Sequence, residues 1–214
     1  MNEVGTGVSP KSAQQKRSEE TRAKLIRAAV DFIREQGASN FTTAKVAEAA
    51  GLTRGAIQYH FSSPKDLLRE VVIEIVHFLS DQLDEADLSK LGKDVRLERI
   101  VDLYWDGYRS DKYVVFMELA LQGRLDPEFR ETIVEALSVL EKERDEQWLG
   151  LFVDYEQSDA DILSWRSQLL IILRGLALKR MFTNDEEEDQ EIFRNARASY
   201  IRDIQFRSSQ TAAK

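Results

Sequence analysis

The sequence predicts an all-α fold, and three observations predict it. Glycine and proline are scarce, ten and three in 214 residues, so little interrupts the chain. Apolar residues recur at i, i+3, i+4 and i+7 over long stretches, which is the period of an amphipathic helix. The interruptions that occur carry helix-start chemistry. Ser63-Pro64-Lys65-Asp66 and Asp126-Pro127-Glu128 each place a capping side chain before a proline at the first helical position, with a carboxylate in the first turn.

Taken in order, residues 1–17 are polar and aperiodic and read as a largely disordered, solvated tail with Lys11, Lys16 and Arg17 near its end. A helix from about Ser18 to Gln36 follows, with Leu25, Ala28, Ala29, Phe32 and Ile33 as its apolar stripe, and Gly37 ends it. Thr42 is placed to cap a short helix whose inner face is Val46, Ala47 and Ala50. At Gly51 the chain must turn sharply, and Leu52 plugs that turn into the core. Thr53 caps the next helix, which turns Ile57 and Phe61 inward and leaves Arg54, Gly55, Ala56, Gln58 and Tyr59 outside.

From Pro64 a long helix is expected to about Asp84, with Leu67, Leu68, Val71, Val72, Ile75, Phe78 and Leu79 on a broad face able to serve two bodies. After a loop around Gly92, helices are predicted over about 94–108, 111–122, 127–155 and 158–182. The centre of the last of these, Leu169 to Leu173, is apolar all round and must be enclosed on several sides. Beyond the acidic run at 183–189, a final helix to about Ser208 repeats Ile192, Ala196, Tyr200 and Ile204 at four-residue spacing. Two domains result, 1–66 and 67–214.

Composition narrows the function. With 43% hydrophobic residues the chain can bury a substantial core. It has no cysteine, which removes disulfides, thiolate catalysis and cysteine-ligated zinc and suits a cytoplasmic protein. No stretch approaches the roughly 18 consecutive apolar residues of a membrane span, and the N-terminus has no apolar signal core. The formal net charge is −8, unfavourable for a nucleic-acid partner until its distribution is considered. Residues 1–70 hold eleven Lys and Arg against eight Asp and Glu, a net of +3, which leaves −11 on the rest. A basic domain on an acidic body can attract DNA through one face, because the attraction is local and screened within about 10 Å.

Catalytic chemistry finds little support. Only His60 and His77 are present, and GxSxG, HExxH and P-loop patterns are absent. His77 with Glu70, Glu74 or Asp81 lacks the second imidazole of a metal site. Neither a metal nor a cofactor is expected. By contrast, the outer face of the helix at 54–60 combines small residues for close approach, a cation and a phenol for phosphates, and a polar side chain able to meet base edges.

The block from about residue 18 to 70 resembles the N-terminal domain of the TetR family of bacterial transcription regulators. Leu25, Ala28, Ala29, Phe32, Gly37, Phe41, Thr42, Val46, Ala47, Gly51, Leu52, Tyr59, His60, Phe61, Leu67 and Leu68 carry the resemblance. It implies DNA contacts from Thr42, Thr43, Lys45, Thr53, Arg54, Gly55, Ala56, Gln58, Tyr59, His60 and Lys65. The family often has a basic residue where Ala44 stands and a phosphate-gripping lysine where Pro64 stands; here each lysine comes one place later, at Lys45 and Lys65. The resemblance further implies a homodimer bound to a double-stranded operator, with the last two long helices pairing, and a small-molecule ligand in the C-terminal domain.

A group of aromatic residues, Tyr104, Trp105, Tyr108, Tyr113, Phe116, Trp148, Phe152 and Trp165, crowds segments that would surround one helical cavity. All of these except Tyr113, together with His77, are the pocket candidates. The resulting expectation is a repressor released from its operator by a small apolar or aromatic ligand, although the same parts could build an activator. The acidic body slightly favours a neutral or cationic ligand. Competing readings are a helical enzyme or small-molecule carrier with the N-terminal helices as scaffold, and an architectural DNA protein without ligand control.

Overall fold

The computed structural model describes residues 12–85, 87–183 and 185–211. Among them it contains helices and short 3-10 turns and no strand. The helices are α1 (Ala13–Gln36), α2 (Thr43–Ala49), α3 (Arg54–His60), α4 (Pro64–Glu85), α5 (Lys93–Tyr108), α6 (Asp111–Gly123), α7 (Pro127–Leu151), α8 (Asp159–Arg180) and α9 (Glu186–Thr211). The chain divides into two compact units between Val71 and Val72, and α4 is continuous through the division.

In the N-terminal unit the first helix begins earlier than its apolar stripe suggests. Ser12 Oγ accepts the Gln15 N–H at 3.2 Å and the Gln15 side chain accepts the Ser12 N–H at 2.8 Å, a reciprocal cap that starts α1 at Ala13. The tail expected over 1–17 is thus helical from residue 13, and residues 1–11 lie outside the described residues. Capping explains the correction: a helix can extend past its buried face when its free N–H groups find acceptors. The core of this unit is Leu25, Ala29 and Ile33 of α1 with Val46, Ala47, Ile57, Phe61, Leu67 and Val71, all buried.

The start of α4 follows its sequence signature. Ser63 Oγ accepts the Asp66 N–H at 3.1 Å while Asp66 Oδ2 accepts the Ser63 N–H at 3.1 Å, with Pro64 at the first helical position. The Ser62 hydroxyl also donates to Asp66, and this bond, ahead of the others, holds the Asp66 carboxyl below its ordinary range.

The C-terminal unit is a packed group of helices in which α7 lies against α6 and α8, while α5 and α9 flank α8. Its centre is aromatic: Trp148, Phe152 and Trp165 are fully buried. Trp148 Nε1–H donates to the Ile162 carbonyl at 2.8 Å, and Phe152 sits 4.8 Å from the Trp148 ring and 5.9 Å from that of Trp165. From α9 the Tyr200 hydroxyl donates to the Trp165 carbonyl at 2.9 Å, and Arg197 grips Asp102 of α5 at 2.6 Å. Helix α7 stops at Leu151, four residues short of the predicted Tyr155, because the chain turns there so that Phe152 and Tyr155 enter the aromatic centre.

Candidate functional site

The geometry of α2 and α3 is set locally. Thr42 Oγ1 accepts the Lys45 N–H at 3.3 Å and Thr53 Oγ1 accepts the Ala56 N–H at 3.2 Å, so each short helix has its own cap. Between them the Gly51 N–H donates to Glu48 O at 2.9 Å and the Leu52 N–H to Ala47 O at 2.8 Å. This is a Schellman end with Gly51 at φ 62°, the left-handed conformation glycine adopts without penalty. Leu52 is half-buried rather than enclosed, so the hydrogen bonds more than the side chain define the turn.

Helix α3 anchors itself through Ile57, with Phe61 just beyond its end, both buried. Its opposite face carries Arg54, Gly55 and Gln58, all exposed, and Tyr59, whose surface is 76% exposed. Thr42 and Thr53 are exposed, while Thr43 and Ala56 are half-buried. His60 is half-buried with its ring 5.0 Å from Tyr59, edge to face; burial and then the Arg22 cation lower its pKa, which favours the neutral ring. Arg22 in turn reaches Glu70 at 2.5 Å and lies over the Phe61 ring.

The two displaced lysines differ. Lys45 Nζ folds back to donate to the Asn40 carbonyl at 3.2 Å and stands 5.8 Å from the centre of the Phe32 ring. Lys65 is half-buried in the first turn of α4.

The C-terminal unit holds a cavity of about 270 Å³ among α4 to α8. Tyr108, Tyr113, Phe116 and Met117 form one side, and Val76 and Leu79 of α4 line it as well. Glu141 and Arg144 of α7 and Arg174 of α8 bring charge to it. Among the pocket candidates from sequence, Tyr108 and Phe116 line this cavity. Tyr104 stands behind Tyr108, ring centres 6.5 Å apart. Trp148, Phe152 and Trp165 do not reach it, because their rings fill the aromatic centre, and Trp105 stacks on Phe193 at 4.7 Å. His77 is exposed on α4.

Sequence reasoning missed Arg144, Arg174 and Glu141. The first and last lie in the charged run 141–146, which reads as a solvated face. Arg174 offered a signal, a cation directly after an all-apolar helix centre. Burial lowers the pKa of Arg144 and pushes the Tyr113 phenol up to about 12, with Tyr108 beside it adding to the latter. Burial also opposes the charge of Arg174, but the neighbouring Tyr108, Tyr113 and Glu141 outweigh it and raise its pKa. Among the described residues, no group of three or more His, Asp or Glu is placed to hold a metal ion, and no helix is long and apolar enough to cross a membrane.

Residues 25–71 match the family model for bacterial regulatory proteins of the tetR family. The HTH-type transcriptional regulator CymR of Pseudomonas putida is 29% identical over 192 residues, which cover 86% of this chain and 92% of that protein. The HTH-type transcriptional regulator TtgW of Pseudomonas putida is 31% identical over 110 residues, 51% of this chain and 78% of that protein. Among solved structures, a transcriptional regulator from Saccharomonospora viridis in complex with choline shares the fold, with a TM-score of 0.65 and 21% identity over 86% of this chain and 96% of that one. With an α2–turn–α3 reader at 43–60, an all-helical body and these relatives, the chain belongs to the tetR family of bacterial regulatory proteins and is a DNA-binding transcriptional regulator, not an enzyme.

Proposed function

We propose that the protein is a cytoplasmic, homodimeric repressor that reads an operator with α3 and releases it when a small, largely apolar or aromatic ligand enters the C-terminal cavity. The observation that carries the reading is the outer face of α3, where Arg54, Gln58 and Tyr59 stand exposed on a helix locked from behind by Ile57 and Phe61. Arg54 and Gln58 suit base edges in a major groove, while Tyr59, Thr42, Thr43, Thr53, His60 and Lys65 suit the phosphate backbone. Gly55 and Ala56 permit close approach. Lys45 serves a phosphate if it leaves the Asn40 carbonyl, a bond between exposed groups that costs little to exchange.

A dimer follows from the operator geometry, since two reader helices must meet successive turns of one duplex face about 34 Å apart. Helix α8 supports such pairing: Ile171 and Leu178, seven residues apart on one face, and Phe182 just beyond the helix end are exposed in the single chain, and clustered exposed apolar side chains mark an association surface. Ligand control is supported by α4, which sends Leu67, Leu68 and Val71 into the core of the N-terminal unit and lines the cavity with Val76 and Leu79. The neighbour crystallised with choline is a relative in fold that holds a small molecule.

Selection of bound sequences from a random DNA pool tests the reading. The expected product is an inverted repeat with half-site centres about one helical turn apart. Binding without any enriched sequence would point to an architectural DNA protein and overturn it.

A further inference from the structure

Resting on the operator-reading role just proposed, we infer that Arg22 of α1 is a positioning residue for that role. Together with Glu70 of α4 it clamps the exit of α3, so that His60 and Tyr59 are held in reading position without Arg22 itself touching DNA. Helix α3 has seven residues, too few to keep its own place, so its neighbours must fix it. Ile57 and Phe61 anchor it from within. Beyond its end, the reciprocal bonds of Ser63 and Asp66 fix where α4 begins, but they act within four residues and do not tie that exit to α1.

Arg22 supplies the tie. Its Nη2 stands 2.5 Å from Glu70 Oε2, in the second turn of α4, and its guanidinium carbon lies 5.6 Å from the centre of the Phe61 ring, one residue past α3. All three residues belong to the N-terminal unit, and one planar group joins three of its helical segments. A guanidinium can pair with a carboxylate at its edge while its face lies on a ring; an ammonium has no such face. From Phe61 the ring contacts continue to His60 at 6.4 Å and from His60 to Tyr59 at 5.0 Å. The ring that Arg22 covers therefore backs the two side chains assigned above to the phosphate backbone. Its charge reaches His60 as well, where it adds to burial in favouring the neutral imidazole.

Glu70 separates the clamp from plain charge. As a surface charge, a carboxylate in a basic DNA-reading unit repels phosphate, and its removal strengthens binding. As one jaw of a clamp, its removal weakens binding.

Fluorescence anisotropy of the full-length protein on the selected operator tests the inference with R22Q, R22K, E70Q and the double variant R22Q/E70Q, each checked for folding by urea unfolding. Arg22 and Glu70 are half-buried at the surface of the unit, so the variants should fold. R22Q and E70Q should each weaken binding by about three- to tenfold, the range that one exposed ion pair and one cation–π contact can hold in place. The double variant should bind no more weakly than R22Q, because both changes release the same clamp, and R22K should recover part of the loss. The salt dependence should keep the parent's slope. Tighter binding by E70Q, or a double variant that matches the parent, would reduce the pair to charge and overturn the inference. A log–log salt slope shallower by about 0.9 in R22Q would make Arg22 a direct phosphate contact instead. Parent affinity in folded R22Q would leave a packing contact alone, whatever the change in stability. A parent that selects an operator while R22Q and E70Q bind it equally well sinks the clamp and keeps the reader; a parent that selects no sequence sinks both.

Discussion

The Leu52 N–H donates to the Ala47 carbonyl across 2.8 Å, bridging the turn between α2 and α3 while Gly51 between them holds φ at 62°. A methyl group added at Gly51 would meet nothing within 4 Å, so the position is restricted by backbone conformation and not by space. Gly51→Ala should therefore cost about 1–2 kcal/mol, the penalty of the left-handed conformation for an L-residue, and Gly51→Val somewhat more. Urea unfolding followed by circular dichroism measures it, and two variants as stable as the parent would show that the turn relaxes freely.

On the reader surface, Tyr59→Ala and Lys65→Ala should weaken operator binding with helicity and dimerisation intact, since Tyr59 is mostly solvent-exposed. Arg54→Ala and Gln58→Ala should relax specificity at particular base pairs, each by about 1–3 kcal/mol of discrimination. Affinity should fall with salt at a log–log slope near −0.9 per neutralised phosphate on duplex DNA. Fluorescence anisotropy with the selected operator reads all of these. Unchanged affinity in both Tyr59→Ala and Lys65→Ala would move the docking face off this side of α3.

The stripe on α8 makes the dimer testable without breaking the fold. Ile171 is 70% exposed in the single chain, so Ile171→Glu or Leu178→Glu should leave the protomer folded. In a dimer closed on this stripe, the carboxylate would be buried without a partner at a cost of several kcal/mol, roughly. Sedimentation should report monomers. Ala177, by contrast, is buried within the protomer, so Ala177→Glu should unfold it instead. A persistent dimer in both stripe variants would shift the interface to α9.

Acid should loosen the start of α4. The Asp66 carboxyl titrates below its ordinary 3.8 in the folded chain because Ser62 and Ser63 donate to it. A depressed folded pKa means the unfolded chain binds the proton more tightly. The contribution is therefore fully present above the ordinary carboxylate value and is lost as pH falls through the lowered one. Asp66→Ala should cost about 1 kcal/mol near neutral pH, a typical net hydrogen-bond contribution, and the gap to the parent should close in acid, once the pH has fallen through the lowered carboxyl range. Unfolding curves taken near neutral pH and in acid check the sign; a gap that widens in acid would contradict it.

The sequence by itself determined the helices and the reader. Caps at Thr42, Thr53, Ser63, Asp126 and Ser158, the prolines after two of them, and Gly51 act within four or five residues, so their hydrogen bonds could be read from spacing and reappear in the structure. The outer face of α3 was legible for the same reason, since helical periodicity assigns inside and outside once Ile57 and Phe61 are inward.

Tertiary structure alone decided which aromatic residues pack and which line a cavity. Trp148, Phe152 and Trp165 have the same composition signal as Tyr108 and Phe116, yet they meet one another in the centre, and the cavity forms between residues of α4, α6 and α7, Met117 and Leu137 among them. Charge in that cavity was equally hidden. Arg144 sits in a run that a single helix would solvate, and only the tertiary fold brings it to the Val76 carbonyl of α4, near Arg166 and into one cavity lining with Arg174 of α8. Periodicity tells a helix which face to bury; it does not say against what, and the burial of a charge depends on partners as distant in sequence as Val76 and Arg144.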